Sequence, residues 1–239
     1  MAAPIEQRPF VLSPPLAPVE RHGRVDLHLP AADTPRPAVV LVHGAPLPPD
    51  SGDPRDWLLY CGYGALLAEQ GLVAAVVSYR VDDLADVPVA ADQIAAAVEQ
   101  VRADPRVDAD RLVLWFFSGG GLLSADWLRA TPPWLCGLVC TYPLLTPPQE
   151  WPIDDRFHPV DALDSTGDLP IVLTRAGLDM PMVQVGIDAF VAKAADLGRP
   201  VQIIDVPNGR HGFDVLDHTD ESRDAVRTAR DAVLRLLTP

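Results

Sequence analysis

A chain of 239 residues with 48% hydrophobic and 22% charged side chains has apolar material for one large α/β core and little room for two full domains. Its formal net charge of −14 argues against a nucleic-acid partner, which would need clustered Lys and Arg. No run of about eighteen apolar residues occurs, so no membrane span is expected.

In chain order, residues 1–10 carry charges and prolines where a secretory signal would place a basic start and an apolar run, so export is not expected. Val25, Leu27 and Leu29 alternate with Asp26 and His28, which predicts an edge strand with its polar side out. Aliphatic runs without alternation follow at 38–42, 73–77, 112–116, 137–140, 171–173 and 201–204. Such runs are strands buried on both faces, as in a parallel sheet. Helical segments are predicted between them at 56–70, 87–103, 122–129, 181–197 and 220–237. Pro181 stands where a first helical turn accepts proline, and Gly71 and Gly198 stand where a left-handed cap is wanted. The alternation specifies an α/β fold, a mostly parallel central sheet flanked by helices on both faces, as a single domain over 1–239. Residues 143–169 break the pattern. They are rich in Pro and Asp, contain Trp151, Phe157 and His158, and are expected to form a short cap after the sixth strand, against the alternative of a surface excursion. Three cysteines, Cys61, Cys136 and Cys140, cannot all pair, which fits free thiols in a reducing cytoplasm.

The strongest chemical signal is Ser118, which follows the buried run at 112–116 and precedes Gly119, Gly120 and Gly121. A serine on a strand-to-helix turn projects its hydroxyl, and glycines permit that turn, so Ser118 is the candidate nucleophile. The N–H of Gly119 would face the same space and stabilise an oxyanion. Leu122 and Leu123 stand where a P-loop needs Lys and a hydroxyl residue, which removes that reading. The segment His43, Gly44, Ala45, Pro46 ends another apolar strand. Pro46 has no N–H, so Ala45, or Gly44, is the second candidate oxyanion donor, and His43 is expected to be a buried, hydrogen-bonded imidazole. His211 follows the last predicted strand and is the candidate base, with His158 as its rival. Asp179 follows the strand at 171–173 and is the candidate acid that orients the base, with Asp154 or Asp155 as the variant arrangement.

The segments around Leu41 to Gly44, Phe117 to Gly121, Arg175 to Asp179 and Gly209 to Phe213, in that order, resemble the α/β-hydrolase superfamily. Within it the chain is similar to the dienelactone-hydrolase-like and small bacterial esterase branches. The resemblance covers about Pro37 to the C-terminus. It implies an α/β-hydrolase fold with about eight strands, serine-hydrolase chemistry without metal or other cofactor, a Ser118, Asp179 and His211 triad, and oxyanion donors at Gly119 and Ala45. It further implies a structural ion pair between Arg80 and Asp92. Two departures stand out: Phe116 occupies the position where the usual nucleophile turn has Gly or Ala, and dienelactone hydrolases usually carry Cys where Ser118 stands. The expected substrate is a small to medium carboxylic ester, lactone or thioester, with Trp151, Phe157, Phe117 and Leu47 as apolar contacts. Acyl transfer or cyclisation on the same triad, and a catalytically silent ligand-binding fold, are the competing readings.

Overall fold

Eight strands form one sheet in the computed structural model, which describes residues 3–48 and 50–238. They are β1 (Val19–His22), β2 (Val25–His28), β3 (Arg36–Val42), β4 (Val73–Val77), β5 (Val107–Phe117), β6 (Leu135–Thr141), β7 (Ile171–Leu178) and β8 (Val201–Arg210). Their order across the sheet is β1-β2-β4-β3-β5-β6-β7-β8. The β1/β2 and β2/β4 pairs are antiparallel, and every other neighbouring pair is parallel.

Both faces of the sheet are covered, which is why its central strands read as unbroken apolar runs. On one face, α1 (Leu58–Glu69) and α7 (Asp220–Leu237) pack Tyr63, Leu67, Val226 and Val233 against Val39, Leu41 and Trp115. On the other, α2 (Val87–Arg102), α3 (Ala125–Arg129) and α5 (Pro181–Asp196) pack Ile94, Leu128, Ile187 and Phe190 against Val40, Leu114 and Phe116. Successive residues of a strand thus serve opposite layers. Helix ends follow local chemistry. Pro181 opens α5, Thr219 accepts the Ser222 N–H at the start of α7, and Gly71 and Gly198 lie just past α1 and α5 at φ +79° and +66°.

Two expectations are corrected. The strand at Val25–His28 is not the edge: β1 is, and all four residues of β2 are buried. Its polar residues are enclosed by partners from elsewhere in the chain. Arg21 grips Asp26 at 2.8 and 2.7 Å, Arg55 approaches the same carboxylate at 3.3 Å, and the His28 ring packs where Gly64 has no side chain. Arg80 and Asp92 do not pair. A turn held by the Asp83 and Asp86 side chains leaves Arg80 exposed on Asp82 at 2.6 Å, and Asp92 faces Arg156 at 3.5 Å. The segment 143–169 follows the sixth strand as expected, and much of it is fastened beside the sheet. It contains α4 (Pro159–Ala162), which packs on α3 and α5, and it is tied by Arg156 to Asp126 and by Thr166 to the Leu128 carbonyl at 3.0 Å. Phe157 is consequently buried in the core.

Candidate active site

The C-terminal end of β5 lies between β3 and β6 and delivers Ser118 in a left-handed conformation, φ +50°. A serine held there is strained, and the three glycines after it explain how the chain tolerates the turn. A Cβ on Gly119 would lie 1.7 Å from the Ala45 carbonyl oxygen, one on Gly120 2.3 Å from that of His43, and one on Gly121 2.6 Å from that of Leu144. The loop after β3 and the segment after β6 both press on the turn, so side chains are sterically forbidden. Phe116 does not block it, because its ring points into the layer under α2.

The loop after β3 is rigid for identifiable reasons. The Tyr79 hydroxyl donates to the His43 carbonyl at 2.5 Å, and the His43 ring stacks on Tyr79 with centroids 4.0 Å apart. His43 Nδ1 lies 2.7 Å from the Gly44 carbonyl and its Nε2 3.4 Å from the Tyr79 N–H, the pattern of a neutral imidazole; burial pushes its pKa down to about 4. The Gly44 N–H donates to the Tyr60 hydroxyl at 3.1 Å and is thereby committed. Of the two candidates in this loop, Gly44 thus has its N–H bonded, and Ala45 lines the same cavity as Ser118.

The opposite side of the site comes from β7 and β8. Their pairing runs on, past a bulge, to Leu178 opposite Arg210, so the next residues, Asp179 and His211, emerge side by side. Gly177 sits at that bulge, and a Cβ there would lie 2.2 Å from the Pro207 carbonyl oxygen, so the close approach of the two strands needs glycine. His211 Nδ1 lies 2.8 Å from Asp179 Oδ1, and His211 Nε2 lies 2.7 Å from Ser118 Oγ. Asp179 Oδ1 also accepts the Met180 N–H at 2.7 Å, which fixes the carboxylate, whose side chain is wholly buried. Hydroxyl, imidazole and carboxylate thus form one continuous hydrogen-bonded chain from residues 118, 211 and 179. His158 sits at the start of α4 beside Asp161, and Asp154 caps the turn at 155–157; neither joins the chain.

A cavity of about 130 Å³ opens on Ser118 and His211, walled by Ile5, Leu47, Trp57, Leu59 and Tyr142. A recess of about 20 Å³ shares Ala45 and Pro46 with it and continues past Gly119 to Leu84, Leu123 and Trp151. Among the described residues, neither is lined by Lys, Arg, Asp or Glu. Of the expected apolar contacts, Leu47 and Trp151 line these spaces. Phe117 and Phe157 do not: Phe117 stacks on Trp115 at 5.7 Å on the α1 side of the sheet, and Phe157 belongs to the opposite core. Strand parity sends residue 117 the same way as Trp115.

One cluster lay outside the reading of the sequence. Asp214, fully buried three residues after His211, accepts the Tyr63 hydroxyl at 3.0 Å and the Tyr142 hydroxyl at 2.9 Å to each carboxylate oxygen. The Tyr142 ring in turn lies against the His211 ring, centroids 4.7 Å apart. Burial pushes the Asp214 carboxyl up to about 6 against the lowering effect of the two phenols. Among the described residues, no group of three His, Cys, Asp or Glu side chains is arranged to hold a metal ion.

No family model matches the chain, and no curated protein matches its sequence. Solved structures do. EstE1, a thermophilic carboxylesterase cloned from a metagenomic library, superposes with a TM-score of 0.74 at 18% identity, covering 96% of this chain and 92% of its own. Thermogutta terrifontis esterase 2, phosphoramylated by tabun, gives 0.71 at 18% identity over 95% and 98%. A bacterial heroin esterase gives 0.71 at 20% identity over 90% and 80%. The chain therefore has the α/β-hydrolase fold.

Proposed function

We propose that the protein is a serine hydrolase that cleaves small to medium carboxylic esters, lactones or thioesters through an acyl-enzyme. The observation that carries this reading is the unbroken path from Ser118 Oγ to His211 Nε2 at 2.7 Å and from His211 Nδ1 to Asp179 at 2.8 Å. His211 takes the serine proton as Ser118 attacks the carbonyl carbon, and Asp179 holds the ring in the tautomer this needs. The N–H groups of Gly119 and Ala45 receive the developing oxyanion. His211 then returns the proton to the leaving oxygen or sulfur, and water releases the acyl group by the reverse sequence. An assembled nucleophile and base favour catalysis over the silent-fold reading. Serine at position 118, with no cysteine beside it, favours the esterase branch over the dienelactone branch.

The cavities narrow the substrate class. The leaving group must sit on the His211 side to receive its proton, which assigns it the 130 Å³ cavity; the acyl chain then enters the 20 Å³ recess past Gly119. Uncharged apolar linings suit neutral substrates with a short acyl chain. A structure of the Thermogutta terrifontis esterase holds propionate, which accords with such an acyl site in a protein of this fold. The test is a series of p-nitrophenyl esters of increasing acyl length on the wild type and on Ser118→Ala. The expected result is the highest kcat/KM for acyl chains of about two to four carbons, no turnover by Ser118→Ala, and a shift to longer chains in Trp151→Ala, which widens the recess. Activity retained by a folded Ser118→Ala variant would overturn the reading.

A further inference from the structure

We propose that Tyr142 and Asp214 form a positioning unit for the candidate base, in which the Tyr142 ring braces the His211 imidazole and the buried Asp214 carboxylate holds the tyrosine there and favours the imidazolium. The inference rests on His211 acting as the base.

Three independent observations converge on it. The first is conformational. Tyr142 follows β6 directly and stands at φ +38°, a left-handed geometry that a bulky residue adopts only when its surroundings impose it. Both ends of its side chain are engaged, the ring on His211 and the hydroxyl on Asp214, and its N–H donates to the Thr174 carbonyl at 2.8 Å. The second is mechanical. Asp179 and Ser118 hold the imidazole by hydrogen bonds at its two nitrogens, which restrain tilting of the ring less than packing does; the Tyr142 ring against it limits that tilt. Phe213 meets Tyr142 edge-on at 5.7 Å and backs the brace. The third is electrostatic. A carboxylate buried among apolar side chains is costly unless it is hydrogen-bonded, and its field is felt more strongly there than in water. Asp214 is charged above about pH 6, and the Tyr142 side chain that bonds it lies against the His211 ring, so the carboxylate stands one side chain away from the imidazole. When Ser118 gives up its proton, the new positive charge on His211 therefore meets two carboxylates, one bonded to it and one acting through space.

The other ionisable groups around Asp214 do not oppose this role. Tyr60 and Tyr63 of α1 and Tyr142 are all pushed up by burial, so they remain protonated, and Tyr63 and Tyr142 remain donors to the carboxylate. Asp179 bonds the imidazole at Nδ1.

The experiment compares Asp214→Asn, Tyr142→Phe and the double variant with the wild type, after Ser118→Ala has been shown to be inactive. The pH dependence of kcat/KM and the pH titration of the His211 ring resonances by NMR are both recorded. Removing the Asp214 charge makes the imidazolium less favourable, so the acid limb of kcat/KM and the NMR midpoint both move to lower pH, by about half a unit. Tyr142→Phe keeps the ring but frees it from Asp214; kcat falls about tenfold with KM within about twofold. The double variant is no worse than the more impaired single one, as expected of groups acting as one unit. If Asp214→Asn does not fold, Tyr63→Phe, which loosens Asp214 without touching His211, gives a smaller change in the same direction. An unchanged NMR midpoint together with an unchanged kcat in the folded variants overturns the inference. Because the NMR signal does not need turnover, it reads this unit even if the wild type hydrolyses no ester in the panel, an outcome that would count against the hydrolase reading alone.

Discussion

At the nucleophile turn, geometry leaves one permitted residue type at each of several positions. Gly119 is the sharpest case, since any Cβ there would overlap the Ala45 carbonyl oxygen. Gly119→Ala must push the loop after β3 away, separating the two proposed oxyanion donors. It is expected to lower kcat by on the order of a hundredfold while leaving the far-UV circular dichroism unchanged; kinetics near the wild-type level would remove Gly119 from the oxyanion site. This turn was legible in the sequence because a strained serine needs glycine neighbours, and glycines are visible in a sequence. Gly44 was not. Its N–H is taken by Tyr60, a residue on the following helix whose approach depends on how α1 lies on the sheet. The same reason hid Tyr142 and Asp214, which lie 72 residues apart and meet only where the residue after β6 reaches the short helix α6 (Phe213–Leu216).

Two segments with clear periodicity were legible to the residue. The segment at 220–237 coincides with α7, and the run at 73–77 coincides with β4. β5, β7 and β8 are longer than the predicted 112–116, 171–173 and 201–204, because their further residues are largely polar or partly exposed and carry no apolar run. At β2, alternating Asp26 and His28 predicted a solvent face, but β1 and the guanidiniums of Arg21 and Arg55 cover it. β1 itself, Val19–His22, is exposed along its whole length and carries no apolar run to mark it. The chain before β1 also has an unexpected place. Phe10 is buried on Tyr63, ring centroids 4.7 Å apart, over the space left by Gly62, and the Val11 N–H donates to the Asp214 carbonyl at 2.9 Å. This docking places Ile5 in the wall of the larger cavity. Phe10→Ala should cost about 3 kcal/mol in urea unfolding, as expected for emptying a buried phenylalanine site. It should also raise KM for esters of bulky alcohols by loosening that wall. A stability loss without any change in KM would show that the segment anchors the fold but does not shape the cavity.

For the molecule as a whole, two buried groups set opposing responses to acid. Asp214 holds its proton more tightly in the folded chain, so its contribution to stability is full below about pH 4 and declines as the pH rises to about 6. His43 is kept neutral by burial, so its contribution is full above the ordinary imidazole value near 6.5 and is lost as the pH falls toward 4. His28, also pushed down by burial, acts in the sense of His43. The two larger effects are each on the order of 3 kcal/mol and nearly cancel, so the wild type should show a shallow dependence between pH 4 and 6.5. Asp214→Asn removes one side of the balance: its unfolding free energy should rise with pH across that window more steeply than that of the wild type. Parallel curves for the two proteins would contradict the assignment. The central claim concerns Ser118 and is tested most directly by incubating the folded protein with a fluorophosphonate and locating the adduct by peptide mass spectrometry. One adduct per chain is expected, on Ser118, lost in Ser118→Ala and strongly slowed in His211→Ala. An unlabelled folded wild type, or an adduct on another residue with Ser118 unmodified, would contradict it.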